Sequence, residues 1–166
     1  MDVAGYLTEL YGRMPDLMRE AVEGLSDGQL TSSPREGANT IAWLAWHLTR
    51  VEDHHISELM DVEQLYLSDG WHERFGRGPE SQDHGYGHTA DDVASVRGTA
   101  AELLGYFDAV HERAIGYLGG LSPADLDVVV DERWDPPVIL GVRLASLIGD
   151  LLQHVGQAAY LRGLIA

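Results

Sequence analysis

The sequence predicts an all-α fold, a four-helix bundle with one long crossover loop. Three observations carry that prediction. Apolar residues recur at alternating steps of three and four in the segments beginning at Val3, Val93 and Leu144, the spacing of helices that bury one stripe. A fourth segment, Ile41 to Leu48, is apolar at seven of its eight positions and contains neither Gly nor Pro. Ser68 to His88 follows no period at all and separates the second helical segment from the third.

The first helix is expected from Val3 to Leu25, through Leu7, Leu10, Met14, Leu17 and Ala21, with Asp2 as cap and a kink at Pro15, which lacks a backbone donor. Ser26 to Ala38, with Gly28, Pro34 and Gly37, reads as a connection holding one short turn. The second helix begins near Asn39, with Asn39 or Thr40 as N-cap, and is expected to reach about Leu65. In its first half His47 stands inside the apolar run; further along, Glu52 and Asp53 are expected on the solvent side or paired with Arg50 at the surface. His54 lies seven residues after His47, two turns along the same face, where it lines a cleft as a candidate base. His55 points elsewhere and carries no assigned role.

The Ser68 to His88 stretch exceeds the roughly 12–15 residues of ordinary connections, which marks it as a lid or binding loop. Its aromatics Trp71, Phe75 and Tyr86 need burial somewhere, which argues against plain disorder. His72, His84 and His88 match no compact ligand spacing and read as solvated. Thr89 and Asp92 form a capping box, and a third helix is expected from there through Tyr117, stopped by Gly119 and Gly120. After a capped turn at Ser122 to Leu126, Val128 to Val138 is extended, with a strand-like piece at Val128 to Val130 and Pro136-Pro137 forbidding helix. The last helix spans Gly141 to Gly163. It is apolar over most of its circumference and leaves one polar stripe of Arg143, Ser146, Asp150, Gln153, His154 and Gln157.

Length and charge bound the function. The 166 residues suit one domain spanning 1–166 with a real core. No run of 18 apolar residues and no basic leader are present, so a soluble cytoplasmic protein without a membrane partner is expected. A formal net charge of −16 repels phosphate backbones and disfavours nucleic acid. The 11 basic residues are all Arg, which reads as GC-rich codon usage in the host rather than a demand of the fold. With no cysteine, thiolate ligands and a cysteine nucleophile are excluded, and thiol chemistry must use a thiol from the substrate.

A buried His47 needs a partner, since an unsatisfied buried polar group costs about 1–3 kcal/mol. It is either a core histidine bonded to a carbonyl or carboxylate, or a metal ligand. Asp150 and His154 project one turn apart from one helix face. They are either a surface contact or, if they face His47 across the bundle, the rest of a two-histidine, one-carboxylate site with positions left open for substrate. Gln157 would then support the cleft.

The pieces N-T-I-A-W-L-A-W-H-L-T-R-V-E-D, G-Y-G-H-T, R-W-D-P-P-V-I-L-G-V-R-L and D-L-L-Q-H-V-G-Q-A-A-Y-L-R-G resemble, in order and over nearly the whole chain, the DinB/YfiT-like superfamily and its actinobacterial mycothiol-dependent branch. The resemblance implies a four-helix bundle in which His47, Asp150 and His154 hold a divalent ion. Zinc is the first choice, and iron(II), manganese or nickel also suit the donors. Many relatives have His at the position of Asp150, whereas maleylpyruvate isomerases of that branch are similar to this chain in using a carboxylate. The implied activity is transfer of mycothiol to an electrophile, with Trp71 and Tyr86 of the loop contacting the substrate. A hydrolase of the same fold and a non-catalytic ligand-binding bundle are the alternatives. Homodimers are common among such relatives, and the apolar last helix has surface to spare for a second copy.

Overall fold

The computed structural model describes residues 1–165. Helices α1 (Val3–Tyr11), α2 (Met14–Val22), α3 (Asp27–Leu30) and α4 (Ile41–Met60) are followed by the short α5 (Leu65–Ser68) and α6 (Trp71–Arg74). Then come α7 (Ala90–Ser95), α8 (Ala100–Leu118), a 3-10 turn at Pro123–Asp127, strands β1 (Val129–Asp131) and β2 (Val138–Ile139), and α9 (Leu140–Ile165). The two strands pair antiparallel. Helices α2 and α4 each pack against both α8 and α9, closing a four-membered ring around a core that includes Trp46, Tyr106, Phe107, Met14 and Leu151. The fold is the all-α bundle that the periodicity predicts. Among the described residues no helix is long and apolar enough to cross a membrane.

Two expected helices are each divided. In an unbroken first helix the Pro15 ring would strike the carbonyl of Tyr11, so the chain turns at Gly12–Arg13 and restarts with Pro15 in the first turn, where no N–H is required. The expected third helix breaks at Val96–Thr99. Thr99 and Glu102 make a second capping box, with the Thr99 hydroxyl accepting from Glu102 N at 3.2 Å. Apolar spacing runs across this break because Val93 and Val96 at its N-terminal side and Leu103 beyond it are all buried. The second helix is shorter than expected, ending where Asp61 adopts a left-handed conformation (φ 54°).

Arg50, Glu52 and Asp53 are not on the surface; all three are fully buried. Asp53 accepts from the backbone N–H groups of Leu65 (3.0 Å) and Tyr66 (2.8 Å), from the Tyr106 hydroxyl (2.8 Å) and from Ser57 Oγ (3.1 Å). It thereby caps α5 and fastens it to α4 and α8, with the Arg50 guanidinium 3.7 Å away. Glu52 meets His111 of α8 at 3.3 Å, and burial pushes its carboxyl above the usual range. Partners far along the chain overturn the local expectation that a run of charges faces water.

Candidate metal centre

His47 reaches the cleft from α4, and Asp150 and His154 reach it from α9. One donor atom from each of the three can be chosen so that all lie within 4.8 Å of one another. The apolar surroundings of His47 come from its own helix. Trp43, one turn earlier, stacks on the imidazole with ring centroids 4.6 Å apart. His47 Nδ1 donates to the carbonyl of His84, which leaves Nε2 as the unprotonated nitrogen. Across the cleft His154 Nδ1 donates to Gln157 Oε1 at 3.1 Å, and its Nε2 lies 3.4 Å from Asp150 Oδ1.

The second oxygen of Asp150, Oδ2, is buried without a partner. A desolvated carboxylate oxygen without a donor costs stability unless a cation meets it. Burial lowers the pKa of His47, against the pull of the His84 carbonyl. The hydrogen bond to Asp150 raises that of His154 despite burial. Burial alone would raise the Asp150 carboxyl, but the hydrogen bond and charge of His154 outweigh it and hold the group ionised below its usual range. His47 Nε2 is available, and His154 Nε2 can coordinate once it gives up the proton it shares with Asp150. Two imidazoles, an ionised carboxylate and an orphaned oxygen are then a donor set that fits a divalent ion.

The cleft has a volume of about 530 Å³ and is walled by α4, α9 and the segment from His84 to His88. Its lining includes His55, whose Nδ1 accepts from Arg143 Nη1 at 3.2 Å; burial and that guanidinium pull the His55 pKa down to about 4. His54, His55 and Glu58 also bring possible donor atoms together. Glu58, however, is engaged by Arg143 at 2.7 Å, and a dication there would sit against a permanent positive charge. This second cluster is an ion-pair network.

Other residues singled out in the sequence are placed differently. His54 is on the expected face but is engaged by Gln64 and His84: Gln64 Nε2 donates to its Nδ1 at 3.2 Å, and its ring lies 5.5 Å from that of His84. The wall of the cleft is His55 instead. Trp71 does not approach the cleft; it is buried beside Phe75 and Tyr106, with Arg74 stacked over its indole at 4.1 Å. Tyr86 stands at the cleft rim, 89% exposed rather than buried. Gln157 touches His154 as described. His84 and His88, read as solvated, line the cleft, and His88 bridges Trp43 and Asp83. His72 is engaged too, with Nδ1 donating to the Tyr66 carbonyl at 3.0 Å. The signal for the loop residues was the glycine pair around Tyr86: Gly85 and Gly87 both have positive φ, which shapes a turn directed at the site.

The sequence profile of the DinB superfamily matches residues 10–158. The chain belongs to the DinB superfamily. A solved structure described as a conserved protein from Enterococcus faecalis superposes on this DinB protein with a TM-score of 0.90 at 30% identity, covering 99% of this chain and 98% of the other. No protein of curated function matches the chain.

Proposed function

We propose that this DinB protein is a metal-dependent transferase that moves a small-molecule thiol, mycothiol, onto an electrophilic substrate. The observation that carries the reading is that Asp150, whose Oδ2 is buried without a partner, groups its carboxylate with His47 and His154 so that one donor atom from each lies within 4.8 Å of the others. His47, Asp150 and His154 would hold the ion. A divalent cation supplies Lewis acidity that makes a thiol ionise at neutral pH.

The chain's own groups do the rest. The His84 carbonyl and Gln157 fix the tautomers of the two histidines. His55 stands in the cleft wall as a neutral imidazole at pH 7. With Nδ1 accepting from Arg143 its ring proton sits on Nε2, which can donate to the sulfur of an arriving thiolate while the thiol proton leaves to solvent. No protein cysteine competes as nucleophile. The cleft lining contains Asn39, Trp43, Tyr86 and histidines but neither Arg nor Lys. A thiol whose body is uncharged sugar, as in mycothiol, fits such a lining better than glutathione or bacillithiol, whose carboxylates would find no cation. Tyr86 offers an aromatic face to the electrophile at the open rim. A homodimer completes the reading, because α9 still exposes Val142, Leu152, Tyr160 and Leu164.

Metal analysis combined with a thiol-transfer assay tests the proposal. Wild type reconstituted with zinc should carry about one ion per chain. It should also accelerate conjugation of mycothiol to chloro-dinitrobenzene or a bimane, and Asp150→Ala should lose metal and turnover while remaining helical. Equal turnover with and without thiol would reassign the protein as a hydrolase. Bound metal without turnover under any condition would leave a ligand-binding bundle.

A further inference from the structure

The loop that walls the cleft is fastened from beneath by Arg50, a side chain with no exposed surface. Its Nε donates to the Asp83 carbonyl at 3.0 Å and its Nη2 to the Ser81 carbonyl at 3.0 Å. Nη1 donates to Gln64 Oε1 at 2.8 Å, and the Gln64 amide in turn donates to Ser81 O at 3.2 Å. Asp53 at 3.7 Å and the face of Tyr66 at 3.8 Å balance the charge. Carbonyls of a connecting loop ordinarily face water. Here two are drawn into the core by one guanidinium.

The residue that follows Asp83 is His84, whose carbonyl receives the Nδ1 proton of His47. Arg50 lies three residues after His47, so clamp and ligand are neighbours on one helix surface. A second set of bonds holds the loop from above. Arg77 (2.7 Å) and His88 Nε2 (2.9 Å) donate to the Asp83 carboxylate, and His88 Nδ1 accepts from Trp43 Nε1 at 3.0 Å. Between these anchors Gly85 lies against the stacked Trp43 and His47 rings. Its φ is +97°, and a Cβ there would come within 2.9 Å of His47 Nδ1.

We propose that Arg50 is a positioning residue for the metal ligand His47: by holding the Ser81 and Asp83 carbonyls it delivers the His84 carbonyl to Nδ1 and so sets metal affinity from inside the core. The inference rests on the metal reading above. Lysine could not replace Arg50, because a single ammonium cannot span two carbonyls and an amide oxygen as a planar fork does.

Cobalt(II) is the probe, titrated into apo wild type, Arg50→Lys and Gly85→Ala against a competing chelator, with the visible absorption of the bound ion recorded. Arg50→Lys should weaken cobalt binding about 10- to 100-fold, the range for loss of a ligand's supporting hydrogen bond, and should alter the cobalt spectrum. Gly85→Ala sets a Cβ against His47 itself and is the control showing that a displaced His47 registers in affinity and spectrum. Gln64→Ala, titrated likewise, removes the amide that accepts from Arg50 and donates to Ser81, should weaken binding in the same way, and keeps the test decisive if Arg50→Lys does not fold. Folded Arg50→Lys or Gln64→Ala with wild-type affinity overturns the inference, as does weakened binding with an unaltered spectrum, which general destabilisation alone would produce. Wild type that binds no cobalt overturns the metal reading and the inference with it, so the two failures are told apart by the wild-type titration.

Discussion

His55 should make the apoprotein labile to mild acid, and replacing it with glutamine should remove that component. Its pKa falls from the ordinary 6.5 to about 4 in the folded protein because the ring is buried and receives a hydrogen bond from Arg143. Between these values the unfolded chain binds a proton that the folded chain refuses. The His55 contribution is therefore intact above pH 6.5, declines as pH falls, and is fully lost below about 4. At pH 5.0 the loss relative to pH 7.5 is about 2 kcal/mol, and it grows to roughly 3 kcal/mol in stronger acid. Burial also lowers the pKa of His47, His54 and His84, so the wild-type slope contains further contributions of the same sign. The comparison with His55→Gln isolates one of them, since glutamine can still accept from Arg143 and cannot titrate. Urea unfolding of both proteins with chelator present, at pH 7.5 and 5.0, gives the number. Wild type should lose about 2 kcal/mol more than the variant, and equal losses within about 0.5 kcal/mol would refute the reasoning.

Asp53→Ala strands a buried guanidinium and two backbone N–H groups, so it should cost about 3–5 kcal/mol and lower the thermal midpoint by about 10 °C in a calorimetric scan. Thr99→Ala removes the cap of α8 and should cost about 1 kcal/mol in urea unfolding. Light scattering at micromolar protein should return twice the 18.2 kDa chain mass, and a monomer mass that persists on concentration would remove the dimer from the proposed function.

The bundle could be read from the chain because helix periodicity is a local property, and the packing of α2 and α4 on α8 and α9 follows from burying the stripes. The division of the third helix was legible as well, in the T-A-A-E that begins at Thr99, but a continuous apolar spacing concealed it. The burial of Glu52 and Asp53 was not legible. It depends on His111, Tyr106 and the start of α5, and no local pattern announces a carboxylate that will cap a helix twelve residues away. For the candidate site, spacing nominated Asp150 and His154 as a pair, and the apolar run flagged His47. Which neighbouring histidine would wall the cleft depended on where Gln64 and His84 came to rest: they engage His54 and leave His55 in the cleft lining. Trp71 illustrates the same limit, since an aromatic in a loop announces burial without saying against what.

The loop around Tyr86 is held at its base and free at its tip. Ser81, Asp83 and His88 are bonded to the core and to α4, while Tyr86 projects into solvent between two glycines. A side chain mounted this way can be exchanged at small cost, because nothing beneath it depends on its identity. On the proposed function, substitution at residue 86 alone would change what meets an electrophile at the rim, while the candidate donor set and its supporting carbonyl stay as they are. Variation in substrate preference among proteins built on this plan should therefore concentrate at the loop tip, and variation at the positions of Arg50, Asp83 and Gly85 should be accompanied by change at the metal.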